Sequence, residues 1–372
     1  MNIKTTLKAS VAAAALFVVA VPVAEAANME MSVSGHFNKG MWYYNNGEDA
    51  GVYQGDNGGS QTRARIVAKG KINEAMSVSG TSEWAMTASN ESTLDPADAN
   101  VNGNGTNGTE AGTDSFFTLR HNYVSFAHKQ FGSVAIGHTS EATDGITENG
   151  GVGNLQYGSN MLFGGSVTLV NSSTKARAAG TDLGAFRVSA DGTRSSVIRY
   201  NTPSMGGIVV GVSHTNEQNS AADVKFSGKF GGIGVKAGVG YKSTGASSTT
   251  QDSQWGGSAQ LSHDSGLAVD FSYSKLDLVA GSTRTPVGWS VGVNYAADLT
   301  SMGTTTFRVA YSKSEDATAA NDEIVGFMVG AEQSVAEGVA AYVGYQHDEV
   351  DQAAGVSYDA VTTVFAGTKV VF

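Results

Sequence analysis

Apolar and polar residues alternate strictly through the second half of the chain. In 287–295, Val287, Trp289, Val291, Val293 and Tyr295 share one face of an extended strand, and Gly288, Ser290, Gly292 and Asn294 share the other. The same period of two sets Ile233, Val235, Ala237, Val239 and Tyr241 against Gly234, Lys236, Gly238, Gly240 and Lys242. It also sets Val224, Phe226 and Phe230 against Asp223, Lys225, Ser227 and Lys229, and Phe307, Val309 and Tyr311 against Thr306, Arg308, Ala310 and Ser312. Continued along the chain, the pattern predicts about sixteen strands, near 29–44, 61–73, 76–89, 115–129, 131–138, 194–202, 207–216, 222–230, 233–243, 254–263, 267–277, 287–297, 303–313, 323–334, 338–348 and 358–372. Two of these read irregularly. In 115–129, His121 falls on an otherwise apolar face opposite Arg120, and 323–334 mixes both faces; a bulge or a protein contact surface would account for either.

Soluble sandwiches also alternate, but three features favour a membrane barrel. The strands have the roughly nine to eleven residues that a tilted span requires. Aromatics near both ends of the apolar face of 287–295 match two interfacial girdles. Short turns, at 73–75, 130–132, 203–206, 230–232, 264–266 and 336–338, occupy one rim, and longer polar segments, at 45–60, 90–114, 139–193, 244–253, 279–286, 314–322 and 349–357, occupy the other. The expected fold is therefore all-β: a closed antiparallel transmembrane β-barrel. The Gly/Asn/Thr-rich stretch 100–113 reads as a flexible surface loop.

The N-terminus fits this destination. Lys4 and Lys8 precede an apolar run, 9–23, and Ala24-Glu25-Ala26 is a small-x-small cleavage site. The expected organisation is a cleaved leader, 1–26, followed by one barrel domain, 27–372. No later stretch is apolar for long enough to cross as a helix, so the inner membrane is not the expected location. There are no cysteines, which excludes disulfides, a thiol nucleophile and thiolate metal sites. The formal charge of −11, which loss of the leader makes one unit more negative, argues against nucleic acid as a partner.

Three segments carry a resemblance to the general porins of Gram-negative bacteria. Ser196-Val197-Ile198-Arg199-Tyr200-Asn201-Thr202-Pro203 is similar to the porin strand and turn after the constriction loop. The run from His128 to Gly137, with Gln130-Phe131-Gly132, resembles the turn and strand before it. The ending Ala366-Gly367-Thr368-Lys369-Val370-Val371-Phe372 resembles the last strand, whose terminal Phe372 is the expected signal to the barrel-assembly machinery. The resemblance implies a homotrimeric diffusion channel of the outer membrane, in contact with lipopolysaccharide, passing small hydrophilic solutes, with a long loop folded into the lumen.

The matching loop is 139–193, with an acidic start at Glu141, Asp144 and Glu148 and a later basic part, Lys175, Arg177 and Arg187, that has no family counterpart. Residues 164–170 are expected to form a hairpin within it. In the family a wall of arginines faces this loop. Here Arg63, Arg65, Lys69 and Lys71 share one face of a strand whose other face is apolar, and basic groups are costly on a lipid face, so this set points into the lumen. Arg120 and Arg199 complete the expected wall. Opposed charges across a narrow aperture would order its water and let small polar solutes replace it.

Two other readings stay open. Lys69, Lys71, Lys225, Lys229, Lys236 and Lys242 are compatible with a solute-specific, anion-preferring channel. An enzymatic barrel would need a His beside a Ser, oriented by a third group, but the seven histidines are scattered. No cofactor is expected. Asp348, Glu349 and Asp351, or Asp95 and Asp98, could hold divalent cations with lipopolysaccharide, but they fit no tight calcium loop and read as solvated carboxylates.

Overall fold

The computed structural model describes residues 29–87, 91, 94–97, 117–150, 153–158, 162–245, 248–352 and 355–372. The expected leader, 1–26, and the stretch 100–113 lie outside these residues. Among the described residues the strands are β1 Met29–Asn45, β2 Ala50–Asp56, β3 Arg63–Lys71, β4 Met76–Met86, β5 Phe117–His128, β6 Gly132–Ser140, β7 Thr168–Val170, β8 Arg177–Asp182, β9 Arg194–Asn201 and β10 Ile208–Thr215. They continue as β11 Ser220–Phe230, β12 Ile233–Ser243, β13 Gln251–His263, β14 Leu267–Leu278, β15 Val287–Thr300, β16 Gly303–Glu315, β17 Glu323–Ala336, β18 Val339–Gln352, β19 Val356–Ser357 and β20 Val361–Val371.

Sixteen of these strands are the staves of a closed antiparallel barrel. β2 extends β3 alongside β1, β7 and β8 form a separate hairpin, and β19 is a short addition to β18. β20 pairs with β1 from Asn45↔Thr362 to His36↔Val371, so the sheet has no free edge. No helix among the described residues is long and apolar enough to cross a membrane; the strands make the crossing.

The barrel is apolar outside and polar inside. Val239, Phe271, Val291, Val293, Phe307, Val309 and Val329 are exposed on the outer face, and Ser272, Ser274, Ser290, Asn294 and Ser312 are buried on the inner one. Lipid is the solvent that makes this the stable arrangement, because each backbone polar group is satisfied within the closed sheet. Aromatic pairs ring the outer face toward the long loops: Trp255 and Tyr273 at 5.1 Å, Trp289 and Tyr311 at 5.5 Å, Phe327 and Tyr345 at 5.8 Å. Phe226 and Phe230 stack at 6.0 Å near the short turns. Those turns need special backbone: Gly266 has φ +89°, and a Cβ there would run into the Ala296 carbonyl.

The irregular strands have local explanations. In β5 the register shifts between Glu83 and Trp84, so that Glu83 faces His121 and Trp84 faces Leu119, which leaves Arg120 as the extra residue of a bulge. His121 is thus on the lumen side, where its Nδ1 lies 3.0 Å from Thr139 Oγ1, and does not join the apolar outer face as the simple alternation predicts. β17 reads as apolar on both faces because Ile324 and Met328 point inward and are fully buried against the long loop. The segment 45–60 is not all loop, since it contains β2. The hairpin inside 139–193 pairs Thr168–Val170 with Arg177–Asp182, later than 164–170.

The hydrophobic core lies within the lumen. Trp42 and Tyr44 of β1, Ile324 and Met328 of β17, Tyr342 and Val350 of β18 and Phe365 of β20 pack against Leu155, Tyr157, Phe163, Val167, Leu169, Leu183 and Phe186 of the loop between β6 and β9. Burial of each large apolar side chain is worth about 1.5–3 kcal/mol relative to exposure, enough to hold this part of the loop against one side of the barrel. Inward glycines make room for it: a Cβ at Gly330 would lie 2.8 Å from Leu155 Cδ2, and one at Gly238 would lie 2.8 Å from Ile146 Cδ1.

Candidate functional site

The wall of the lumen on β3, β4 and β5 gathers three arginines around one carboxylate. Glu83 of β4 is fully buried and directly opposite Arg65 in the β3–β4 ladder. Arg65 Nε donates to Glu83 Oε2 at 2.6 Å, Arg120 Nε donates to Oε1 at 2.8 Å, and Arg63 Nη1 lies 3.8 Å from Oε1. The β5 bulge is what brings Arg120 into this fan. Glu83 neutralises one of the three guanidinium charges, so the cluster keeps an excess of positive charge. Arg65, with 46% of its side chain exposed, is its most open member, against 19% for Arg63 and 14% for Arg120.

Arg199 belongs to a second group, at the root of the loop. Its Nη1 donates to Glu141 O at 3.0 Å and Ser140 O at 3.3 Å, its Nε donates to Asn201 Oδ1 at 3.1 Å, and its Nη2 lies 3.9 Å from Asp223 Oδ2. Glu141 is fully buried beside it, accepting from Thr193 Oγ1 at 3.3 Å and Ser195 Oγ at 3.2 Å and pairing with Lys242 Nζ at 2.7 Å. Arg199 and Glu141 therefore fasten the start of the loop to the wall.

Beyond this root the loop presents acids to the lumen. Asp144 is half-buried and attracts Arg120, and Glu148 is exposed. Asp191, on the returning limb, accepts from Thr147 N at 2.8 Å and Thr147 Oγ1 at 2.6 Å. Burial, followed by the nearby Glu148 carboxylate, raises its pKa to about 7. The structure thus brings together Arg63, Arg65 and Arg120 around Glu83, and Asp144, Glu148 and Asp191 along the loop. Arg199 and Glu141 sit apart as an anchor.

Three further contacts fix the loop in the barrel. Arg308 of β16, 2% exposed, donates through Nη1 to Gly150 O, Asp270 Oδ2 and Asn294 Oδ1, all at 2.8 Å, and through Nη2 to Tyr157 O at 3.3 Å. Glu332 of β17 accepts from Asn154 N at 2.7 Å and Asn154 Nδ2 at 3.0 Å. Arg187 hydrogen-bonds Ser312 Oγ, lies 3.5 Å from Asp348 Oδ1 and stands over the Tyr157 ring at 5.3 Å. The loop's other basic residues tie its hairpin to neighbouring loops: Lys175 Nζ to Asp359 at 2.8 Å and Arg177 Nε to Asp49 Oδ2 at 2.8 Å.

Glu83, Asp191 and Arg308 were not singled out by sequence pattern. Glu83 had a usable signal, since it is a lone carboxylate among Ser, Gly and Thr in a strand that follows the Arg63/Arg65 strand across a tight turn. Arg308 lies on the polar face as expected, but which loop atoms it meets is set by tertiary structure alone. Among the described residues, no group of three or more His, Asp or Glu side chains is arranged to hold a metal ion.

A sequence profile of Gram-negative porins matches residues 9–353. No curated protein is a significant sequence relative. Among solved structures, the anion-selective porin from Comamonas acidovorans superposes with a TM-score of 0.63 at 14% identity, covering 93% of this chain and all of that one. The outer membrane protein OmpT of Vibrio cholerae gives 0.58 at 14% identity over 95% of this chain and all of that one. OmpF of Salmonella typhi gives 0.56 at 13% identity over 92% and 97%. At such identities the superpositions speak for the fold, and the profile speaks for descent. A closed sixteen-stranded barrel, lipid-facing outside, with its longest loop seated in the lumen, agrees with both: the chain belongs to the Gram-negative porin family and is a multi-pass β-barrel of the outer membrane.

Proposed function

We propose that the protein is a passive diffusion channel for small hydrophilic solutes and ions, whose aperture lies between the Arg63, Arg65 and Arg120 wall and the loop acids Asp144, Glu148 and Asp191. The observation that carries this reading is the three-to-one clustering of guanidinium groups on Glu83, on the lumen face next to the inward loop. Fixed charges of opposite sign across the opening orient water, and a polar solute that replaces those hydrogen bonds crosses more easily than an apolar one. Purified protein in planar bilayers should give stepwise ohmic conductance, and liposomes containing it should swell in small sugars but not in large oligosaccharides. Folded protein that conducts nothing would sink the reading.

The excess positive charge of this wall favours a second reading, a channel that prefers anions. Lys69 and Lys71, exposed further along β3, extend the basic face. A catalytic barrel finds less support. Thr362, His347 and Glu349 do line up, with Nδ1 to Oγ1 at 3.2 Å and Nε2 to Oε1 at 3.4 Å, but they do so on the outer face rather than in the lumen. Esterase activity abolished by Thr362→Ala would favour catalysis.

A homotrimer is supported by the family and by the outer surface. The outer face of β4, β5, β6 and β9 carries a cross-strand polar row, Ser82, Asn122, His138 and Ser196. Lipid cannot satisfy such groups, whereas a neighbouring barrel can. The remaining proposed features are cleavage after Ala26, engagement of the barrel-assembly machinery through β20 and Phe372, and lipopolysaccharide around the rest of the wall.

A further inference from the structure

We propose that Lys175 and Arg177 of the hairpin β7–β8 are specificity-determining residues of the channel, which offset a crowd of carboxylates at its long-loop mouth and let small anions reach the arginine wall. The inference rests on the channel reading above and deepens it by placing a second charge filter at the entrance.

The hairpin is built into the mouth. Leu169 and Val170 of β7 are fully buried, Val170 O accepts from Asp359 N at 2.8 Å, and Ser172 N donates to Ser357 O at 3.0 Å. At its base, Asp95 accepts from Thr168 N at 3.2 Å and from Thr168 Oγ1 at 2.6 Å. Its two bases lie in and just after the turn and reach two neighbouring loops. Lys175 Nζ donates to both Asp359 carboxylate oxygens at 2.8 Å. Arg177 grips Asp49 through two bonds, Nε to Oδ2 at 2.8 Å and Nη2 to Oδ1 at 2.5 Å. Lys175 has φ +56°, a left-handed backbone that glycine adopts freely and a lysine adopts at a cost. A charged side chain is thus kept where the turn alone would favour glycine.

Acid outweighs base around this hairpin. Asp49 holds the Arg177 guanidinium in its charged form, first by hydrogen bonding, and Asp95 and Glu48 add their attraction. Burial, followed by repulsion from Asp95, raises the pKa of Asp182 at the end of β8. With Asp359, that makes five carboxylates facing two bases. The side chains of Lys175 and Arg177 are 54% and 51% exposed, and exposed ion pairs add little stability. Their charge acts instead through the water of the mouth. Without it, uncompensated carboxylates would gather cations and turn anions away. Such a field reaches about 30 Å at roughly 10 mM salt and about 3 Å at roughly 1 M, whereas the cluster on buried Glu83 is screened much less.

The test is the reversal potential of full-length protein in planar bilayers, across potassium chloride gradients centred on about 10 mM and on about 1 M. A unit charge acting through water changes the local concentration of an ion about 10 Å away about twofold. The double variant Lys175→Gln, Arg177→Gln should therefore lower the chloride-to-potassium permeability ratio about twofold or more at low salt and leave it as in wild type at high salt. The charge-preserving pair Lys175→Arg, Arg177→Lys should match wild type at both. Heat-modifiable gel mobility verifies that each variant is a folded barrel. Equal ratios for wild type and the glutamine variant at low salt would overturn the inference and leave the channel reading standing. So would a shift of the same size at both salts, which would mark a displaced loop rather than a lost charge. If folded wild-type protein passes no ions, both fall.

Discussion

Glu83 ties the stability of the barrel to the charge of its lumen wall. Its burial is tolerated because Arg65 and Arg120 hydrogen-bond it and Arg63 stands nearby. Removing one partner of a buried ion pair typically costs about 3–5 kcal/mol. The Arg65 share is smaller because that side chain is open to water. Glu83→Gln should therefore lower the thermal stability of the barrel and, by removing the carboxylate at the centre of three guanidinium groups, move the reversal potential in a salt gradient toward anions. An unchanged reversal potential would mean that the fan does not line the aperture. Asp191 predicts a pH dependence of known sign. Its folded pKa, about 7, is raised above the ordinary 3.8, so the folded state favours the protonated acid. Between these two values the carboxyl progressively costs stability as pH rises, and above about 7 the cost is complete. Anion preference should accordingly increase as pH falls through 7. Glu91, buried with its Oε2 accepting from Tyr44 Oη at 2.9 Å and Gly164 N at 3.2 Å, is also raised to about 7 by burial. Selectivity measured against pH in Asp191→Asn and Glu91→Gln separates the two: the step should flatten in the first and persist in the second. That Arg63 and Arg65 face the lumen was legible from strand parity, because charge on a lipid face is prohibitive; Arg120 reaches the lumen through the β5 bulge, which parity does not encode. Glu141 was legible as a loop acid, but its pairing with Lys242 depends on how the loop enters, which no local pattern encodes.

At the scale of elements, the inward loop behaves as a fixed wall. Its apolar residues join the core formed by Trp42, Met328 and Phe365, and its backbone is pinned at Gly150 and Tyr157 by Arg308. Replacing Arg308 by Met would leave Asp270 buried without its partner and release two loop carbonyls. The expected outcome is a larger and noisier single-channel conductance with a higher sugar cut-off in liposome swelling, with little change in ion preference. Conductance at the wild-type level and noise in a folded variant would contradict the clamp. Arg308→Lys should fall between, since an ammonium cannot reproduce the fork. Strands such as β12 and β15 were plain in the sequence because their outer faces meet lipid and their inner faces carry only small or polar groups. β17 was obscured because its inner face meets protein, and β5 because a bulge breaks the period. The loop did contain a clue to its own burial, since Leu155, Phe163, Val167, Leu169, Leu183 and Phe186 are out of place in a solvated segment.

The whole molecule is an inverted globule, with lipid on its apolar surface and a half-filled polar interior. Its outer surface is uneven, and the arc around Ser82, Asn122, His138 and Ser196 is the part least suited to lipid. Gly80 lies in this arc, and a Cβ built there meets no atom within 4 Å in the single chain. Gly80→Trp should thus leave the barrel intact and obstruct only a neighbour, converting trimers to monomers on native gels. Trimers of unchanged heat resistance would place the contact elsewhere. The barrel class and its strand number were legible from period, strand length and the asymmetry of turns and loops. The packing of the loop core against β1, β17, β18 and β20 was not, because no local pattern encodes where the loop enters. The measurement that bears most directly on the account is the reversal potential across a potassium chloride gradient, for wild type and for the variant with Arg63, Arg65 and Arg120 all changed to Gln. Wild type should give an anion-leaning potential that shifts clearly toward cations in the variant, with conductance retained. Identical potentials in the two folded channels would show that ions do not pass this wall.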